Sequence, residues 1–543
     1  MKKITLLTLS LVLAPAFLMA GGIVTNTNQS ASWARNPSTA SYIGIESAYY
    51  NPAGISLLNN GFHLSLSNQY INQSRQIENF YNGLNNSKYE GSVKAPLFPT
   101  VYAVYKMDKL ALSLNFNPIG GGGGAEFEKG LPSFEFAAAD LVPKLSSQGA
   151  QAYQLDAYFK GTSIYYGYQF GIAYKINDMV SVSAGARYVQ AKNVYEGYLR
   201  NIQLQMGANW IDASAVLGGV AANFNSMLGV PASLQPLIDG GGGGLTLVQA
   251  NGAGYITSDQ LAGIQQGLAV IGMSAEQIAA MTIEQVQGAY TTATPVLTQQ
   301  YHTAAIGSRL VRNQEADVTQ KGSGFCPVVG INFNLADKLN IAIKYEFATK
   351  MELTNETVKD FVTDSLPGQP ATTMFPDGAK TPADMPALLS VGASYKVIDN
   401  LSVSGSFCYY LDKAVKYGKK IGNEFVTNDK LMDANYIDIA AGVEYGLSEK
   451  LLISTGVLYG KTGIKPEYNS DLSYSNSATT IGIGGKYSIN PNIAVNLGFA
   501  YTAYAKTEKT ANFSKSYPEI SSKESYLKTT MVIGAGIDIS FGK

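Results

Sequence analysis

The 543 residues carry 39 Lys+Arg against 40 Asp+Glu with no long basic stripe, which excludes nucleic acid as an expected partner. Only 15% are charged, while 35 Tyr, 21 Phe and 56 Gly accompany 2 Trp, a balance that fits aromatic-rich β-structure better than a soluble enzyme. Two cysteines, Cys326 and Cys408, allow at most one bridge and no disulfide framework.

Lys2 and Lys3 precede an apolar run from Ile4 to Leu13, followed by Pro15 and the small Ala20. That is the layout of a secretory signal peptide over residues 1–20, too short to cross a bilayer as a helix. After it no window approaches eighteen uninterrupted apolar residues, so helical membrane spans are not expected. The mature chain then begins at Gly21, Gly22 and Ile23. Residues 21–60 are polar and small, with Trp33, Tyr42, Tyr49 and Tyr50 spaced along them and the tetrad Asn51-Pro52-Ala53-Gly54 near their end. Pro52 restricts Asn51 to extended backbone and Gly54 admits positive φ, so the tetrad reads as a stiff turn. The composition of this segment fits either a plug or an unstructured tail.

From Gly61 onward one pattern recurs six times: an aromatic, any residue, an aliphatic, two or three turn residues and an apolar restart. The copies are Tyr105–Leu110, Tyr174–Met179, Phe333–Leu339, Tyr395–Leu401, Tyr445–Leu451 and Tyr487–Ile493. Asn, Asp, Ser and Pro at their centres supply hairpin-turn chemistry. The flanks alternate with period two. Ile341, Ile343, Tyr345 and Phe347 oppose Asn340, Ala342, Lys344 and Glu346, and Met531 to Phe541 alternate in the same way. The remaining connections are long, roughly 74–96, 119–160, 207–316, 354–380, 413–433, 462–476 and 508–525. Six short turns and seven long loops join fourteen strands. The predicted fold class is all-β: a transmembrane antiparallel β-barrel over 61–543, with short turns on the periplasmic rim and an aromatic girdle beside them.

The longest loop, 207–316, contains the capping boxes Ser274–Gln277 and Thr282–Gln285. Pro231, Gly240 to Gly244 and Asn251-Gly252 predict short helices, either a cap over the outer mouth or compact decoration. Catalytic and metal signatures are missing: His63 and His302 sit in no cluster of partners, and Gly460-Lys461-Thr462 lacks the earlier glycine of a phosphate loop. No enzyme, cofactor or metal site is expected. By strand parity Arg187, Lys344, Glu346, Glu444, Lys486 and Asp538 face the lumen, opposite the aliphatic residues.

The run Gly21-Gly22-Ile23, Thr27 to Ala31 and Ala48-Tyr49-Tyr50-Asn51-Pro52-Ala53-Gly54-Ile55, with the strand count, resembles the FadL-type outer-membrane long-chain fatty-acid transporters. The resemblance implies a hatch over 21–60 that plugs the barrel, with Gly21, Gly22 and Ile23 as its mobile end and the tetrad as its anchor. It implies passive passage of fatty acids or aromatic hydrocarbons, with outer-membrane lipid as the surroundings and a monomer as the unit. It also implies a kinked third strand that opens the wall sideways, here Leu110 to Pro118 with Pro118 and Gly120 as kink candidates. A carboxylate cargo needs a cation, and Arg187 and Lys344 are the lumenal candidates, unless they pair with Glu346, Glu444 or Asp538. The helical insert departs from the family pattern and leaves the cargo open. A structural or adhesive barrel and a polar-solute porin are the competing readings.

Overall fold

Aliphatic residues on one side of each strand and small or polar residues on the other favour a sheet with one face in lipid and one around a polar interior. In lipid an open edge would leave unpaired N–H and C=O groups, so such a sheet closes. The computed structural model describes residues 24–364, 371–417, 419–421, 424–512 and 521–542. The leader over 1–20 and Gly21, Gly22 and Ile23 lie outside the described residues.

The wall opens with β1 (Gly61–Asn79), β2 (Pro99–Met107), β3 (Leu110–Phe127), β4 (Ala150–Lys175) and β5 (Val180–Met206). It continues through β6 (Gln314–Leu335), β7 (Leu339–Glu346), β8 (Leu388–Ile398), β9 (Leu401–Tyr410) and β10 (Tyr436–Gly446). β11 (Leu451–Lys461), β12 (Ala478–Asn490), β13 (Ile493–Tyr504) and β14 (Ser521–Phe541) complete it. β14 pairs antiparallel with β1 from Phe541↔Phe62 to Glu524↔Asn79, which closes a fourteen-stranded barrel. Leu66, Phe170, Ile343, Ile439, Leu497 and Ile533 point outward, exposed to the lipid side. Tyr105, Tyr174, Tyr395, Tyr445 and Tyr487 are exposed beside the short turns, forming the girdle. In those turns Asp108, Ala336 and Asp337 take positive φ of 47°, 50° and 55°, as tight hairpins require.

The strands run further than the hydrophobic pattern indicates. β4 has 26 residues and β5 has 27, and β3 continues past Pro118 to Phe127, through the glycine run predicted to be loop. Above the lipid a strand needs no apolar outer face, so alternation fades while ladder pairing persists. A short strand, Lys88–Ala95, lies inside the first predicted loop and pairs with the upper part of β1. Cys326 on β6 and Cys408 on β9 are free, so the single bridge the sequence allowed is not made.

The wall is interrupted beside β3. Its ladder with β2 stops at Val101↔Phe116, and the short strand rejoins it only at Val93↔Ala125. The ladder with β4 is broken on the same stretch by register shifts between Pro118 and Gly120 and between Gly120 and Gly123. Gly121 supplies the bend with φ 89°, and a side chain there would strike Ser163 backbone.

The insert is built from two long helices rather than only short ones. α3 (Ala213–Leu237) and α7 (Ile283–Leu310) pack against each other, with Pro231 and Pro236 inside the first and Pro295 inside the second. α4 (Leu247–Gly252), α5 (Ser258–Val270) and α6 (Ala275–Ala280) gather at their far end around Leu234, Leu268, Ile283 and Tyr290. Tertiary packing along the hairpin overrides the helix-breaking tendency of proline. Capping boxes start α6 and α7 at Ser274 and Thr282, and two more start α4 and α5 at Thr246 and Thr257. α3 is long and apolar enough to span a membrane by composition, yet it leaves from the top of β5 and α7 returns to the top of β6, so both ends stay on one rim. Between Arg200 and Arg309 the chain has no Lys or Arg.

Leu497 is 58% exposed, outward on β13, near the middle of the apolar band. Leu497→Arg is expected to cost roughly 2–4 kcal/mol of barrel stability, measured by denaturant unfolding in lipid vesicles.

Candidate functional site: the hatch in the lumen

Residues 24–58 thread the barrel interior, and most of them are buried. α1 (Ala31–Arg35) starts at Ser30, whose hydroxyl accepts from Trp33 N and donates to Glu46 Oε2 at 2.7 Å. The helix lies on β12, β13 and β14. Two glycines let its backbone come this close: a Cβ on Gly498 would stand 2.5 Å from Ala31 O, and one on Gly534 would stand 2.9 Å from Ala31 Cα. Trp33 and Ile55 are fully packed, each worth on the order of 2–3 kcal/mol of apolar burial. The Arg35 guanidinium pairs with Glu444 and donates to Ser454 Oγ at 2.8 Å, tying the hatch to β10 and β11.

α2 (Ser47–Tyr50) leads into the tetrad. Asn51, with φ −141° and ψ 72°, stays out of the helical region as its position before Pro52 dictates but falls short of the extended backbone expected of it, and Pro52 opens a 3₁₀ helix over Pro52–Leu57. Gly54 is helical and not at positive φ; its need is for space, since a Cβ would lie 2.5 Å from Asn51 Nδ2. Asn51 Nδ2 donates to Asn332 Oδ1 at 2.8 Å, and Asn332 pairs with Asn340, which donates to Ser41 O at 3.0 Å. Ala53 O accepts from Ser181 Oγ at 3.0 Å. The tetrad is therefore bonded to β5, β6 and β7 through polar groups that the lumen would otherwise leave dry and unpaired.

Arg187 and Lys344 meet at Glu346. Arg187 grips it with both amines at 2.6 and 3.1 Å, and Lys344 Nζ donates to it at 2.7 Å and to Tyr49 O at 2.9 Å. The Tyr49 ring covers both cations, 4.9 Å from Arg187 Cζ and 4.6 Å from Lys344 Nζ. Gln169 connects Arg187 to Ala48 O. Two cations thus share one carboxylate beside a cavity of about 30 Å³ lined by Trp33, Tyr50, Lys344, Leu388 and Asp438. Lys486 pairs with Asp538 at 3.1 Å, so of the six lumenal charges expected from parity each has an ionic partner. His63 bonds Ser540 and Asn59 O, and His302 lies in α7 beside Tyr301, away from this cluster.

The start of the hatch meets the interruption in the wall. Asn26 N donates to Ile119 O at 2.7 Å, Gly121 N donates to Val24 O at 3.2 Å, and Asn26 Nδ2 donates to Gly121 O at 3.0 Å. A single antiparallel bridge pairs Thr25 with Gly120. Pro118 and Gly120 both lie in this irregular stretch, and Pro118, having no N–H, asks for one acceptor fewer. Sequence reasoning missed Gly121, Arg35 and Tyr49; the first sits inside a uniform glycine run, and the other two act through partners far away in the chain.

A family model described as "Outer membrane protein transport protein (OMPP1/FadL/TodX)" matches residues 264–541. Outer membrane protein P1 of Haemophilus influenzae is 26% identical over 124 residues, 22% of this chain and 26% of that protein. The match thus spans about a quarter of that relative's length. The crystal structure of a Pseudomonas aeruginosa FadL homologue superposes with a TM-score of 0.57 at 12% identity, covering 97% of this chain and all of that one. The crystal structure of the Pseudomonas putida toluene transporter TodX gives 0.50 at 13% identity, covering 97% of this chain and 98% of that one. Those two structures show a shared fold.

Burial and the neighbouring Asp538 push the Glu46 carboxyl up to about 7, against donation from Ser30 and attraction by Arg35. The folded hatch therefore holds a proton that the unfolded segment releases above about 4.5, so hatch packing weakens as pH rises from 4.5 to about 7 and is level above that. Hydrogen exchange at the hatch amides is expected to speed up over that window, and Glu46→Gln is expected to flatten the dependence. Gly498→Val, which fills the space under α1, is expected to expose the same amides while β-sheet circular dichroism stays unchanged.

Proposed function

The chain belongs to the outer membrane protein transport protein family (OMPP1/FadL/TodX), and on that premise we propose that it carries hydrophobic molecules, long-chain fatty acids or similar lipophilic compounds, passively across the outer membrane. The observation that carries the reading is the backbone of residues 24–26 bonded to the interrupted edge of β3. A hydrophobic cargo gains nothing by leaving into water: at about 0.8 kcal/mol per CH₂, a chain of about sixteen carbons would lose on the order of 12 kcal/mol. Leaving sideways into lipid avoids that loss. The stretch from Asn117 to Gly124, which lacks a ladder partner toward β2 among the described residues, supports such an exit. The buried hatch across the lumen counts against a polar-solute porin, which needs an open watery path.

In this reading cargo enters from the outer mouth and displaces Tyr49 from the Arg187–Lys344–Glu346 cluster. The cluster carries one more cation than anion, which suits the inner end of a carboxylate cargo. Tyr49 also donates to Asn26 O at 3.1 Å, so moving it loosens the contact that Val24, Thr25 and Asn26 make with β3. Gly21, Gly22 and Ile23 precede that contact and are the end free to shift, while Asn51-Pro52-Ala53-Gly54 stays anchored.

A disulfide between Asn26→Cys and Ile119→Cys, in a Cys326→Ser, Cys408→Ser background, is expected to lower fatty-acid uptake by roughly tenfold or more when oxidised and to restore it on reduction. Undiminished uptake through the oxidised staple would overturn the lateral route. Deleting Gly21 to Asn26 is expected to change hydrophobic uptake while heat-modifiable gel mobility still reports a folded barrel.

A further inference from the structure

Six residues outward from the hatch contact on β1, the lumenal lining changes character. Gln69 bonds Ser30 O of the hatch, whereas Arg75, about 20 Å further along the strand, bonds no residue of the hatch. Its cross-strand partner on β14 is Lys528. Both face the lumen, with 1% and 2% exposure, and two cations are thus placed side by side out of bulk water. Their described contacts include no carboxylate. Arg75 Nε donates to Gln73 Oε1 at 3.1 Å, and Nη2 has no hydrogen-bond partner. Lys528 Nζ lies over the Tyr504 ring at 4.4 Å and the Tyr474 ring at 5.6 Å, and Arg75 Cζ is 5.7 Å from Tyr474. Glu524, four residues outward on β14, is bound to Lys509, Asn79 and Tyr526.

Every other cation named above on the lumenal face has its carboxylate. Two buried like charges without one destabilise the folded barrel, and such an arrangement persists where a ligand supplies the missing charge. Ring faces soften the cost through cation–π attraction but offer no countercharge. The position is specific. Outward lies an apolar cluster containing Ile77, Tyr474 and Tyr526, and inward lies the hatch cluster with Val532 and Ala500. We infer that Arg75 and Lys528 form an outer anion site that holds the carboxylate head of an amphiphilic cargo above the closed hatch. The inference rests on the transport reading and adds to it a stage, head group held and tail among the aromatic side chains, before the hatch moves. Arg75 offers a free amine to one carboxylate oxygen and Lys528 an ammonium to the other.

Binding of palmitate and of hexadecanol to the full detergent-solubilised chain tests this, at a pH where palmitate is ionised. The wild-type protein is expected to prefer palmitate by roughly tenfold. Arg75→Gln with Lys528→Met is expected to cut the preference severalfold, to what the Arg187–Lys344–Glu346 cluster supplies, while hexadecanol binding is unchanged. A preference that both substitutions leave undiminished overturns the site, as does equal wild-type binding of acid and alcohol, and either result leaves hydrophobic transport standing. Wild-type binding of neither compound overturns the transport reading together with the ligand assigned here. Lys528→Met alone is expected to raise the temperature at which the barrel unfolds, since it removes a buried repulsion. A lowered temperature would mark Lys528 as a structural residue and overturn the assignment.

Discussion

Backbone hydrogen bonding in a medium without water governs this molecule. Each N–H and C=O inside the lipid must find a partner in the protein, which forces the sheet to close and makes any break in the ladder costly. The break beside β3 is tolerable because the glycine bend at Gly121 turns the edge and Val24, Thr25 and Asn26 pair with it. A segment that satisfies a broken wall cannot leave without exposing that wall, so the position of residues 24–26 and the state of the gap are one variable. The seated hatch and the edge of β3 are thereby joined through the same few hydrogen bonds.

The rest of the hatch is held by a different economy. Its anchors are buried polar contacts, Asn51 to Asn332, Arg35 to Glu444 and Lys344 to Tyr49 O, rather than a purely apolar core. Buried polar contacts fix geometry sharply, because a half-satisfied network is worse than none. They also exchange readily for new partners of like polarity. Apolar contacts under α1 keep the helix down, while polar ones seat Tyr49 over Arg187 and Lys344.

The barrel was legible in the sequence because its two signals are local. Turn residues such as Asn177-Asp178 and alternation such as Ile341 to Phe347 depend only on neighbours, and lumenal parity for Arg187 and Lys344 follows by counting. The outer ends of β3, β4 and β5 were not legible, since their outward faces no longer meet lipid and the alternation stops with the membrane. Pro231 misled for another reason: propensity is weak beside the packing of α3 on α7. At the site, Asn51 to Gly54 declared itself through backbone chemistry. The partnership of Arg35 with Glu444 spans 409 positions, and no local rule connects them. Gly121 could be found only once its neighbours were known, because five glycines in a row look alike.

Between Arg200 and Arg309 the chain has no lysine or arginine, and α3 and α7 carry this stretch outward as an exposed arm. Trypsin cuts only after lysine and arginine. This part of the protein is therefore invisible to that protease, although its surface is open to solvent. A cell shaved with trypsin would keep the arm intact between its two roots, whereas a protease that cuts beside aromatic residues would find Tyr255 exposed on it.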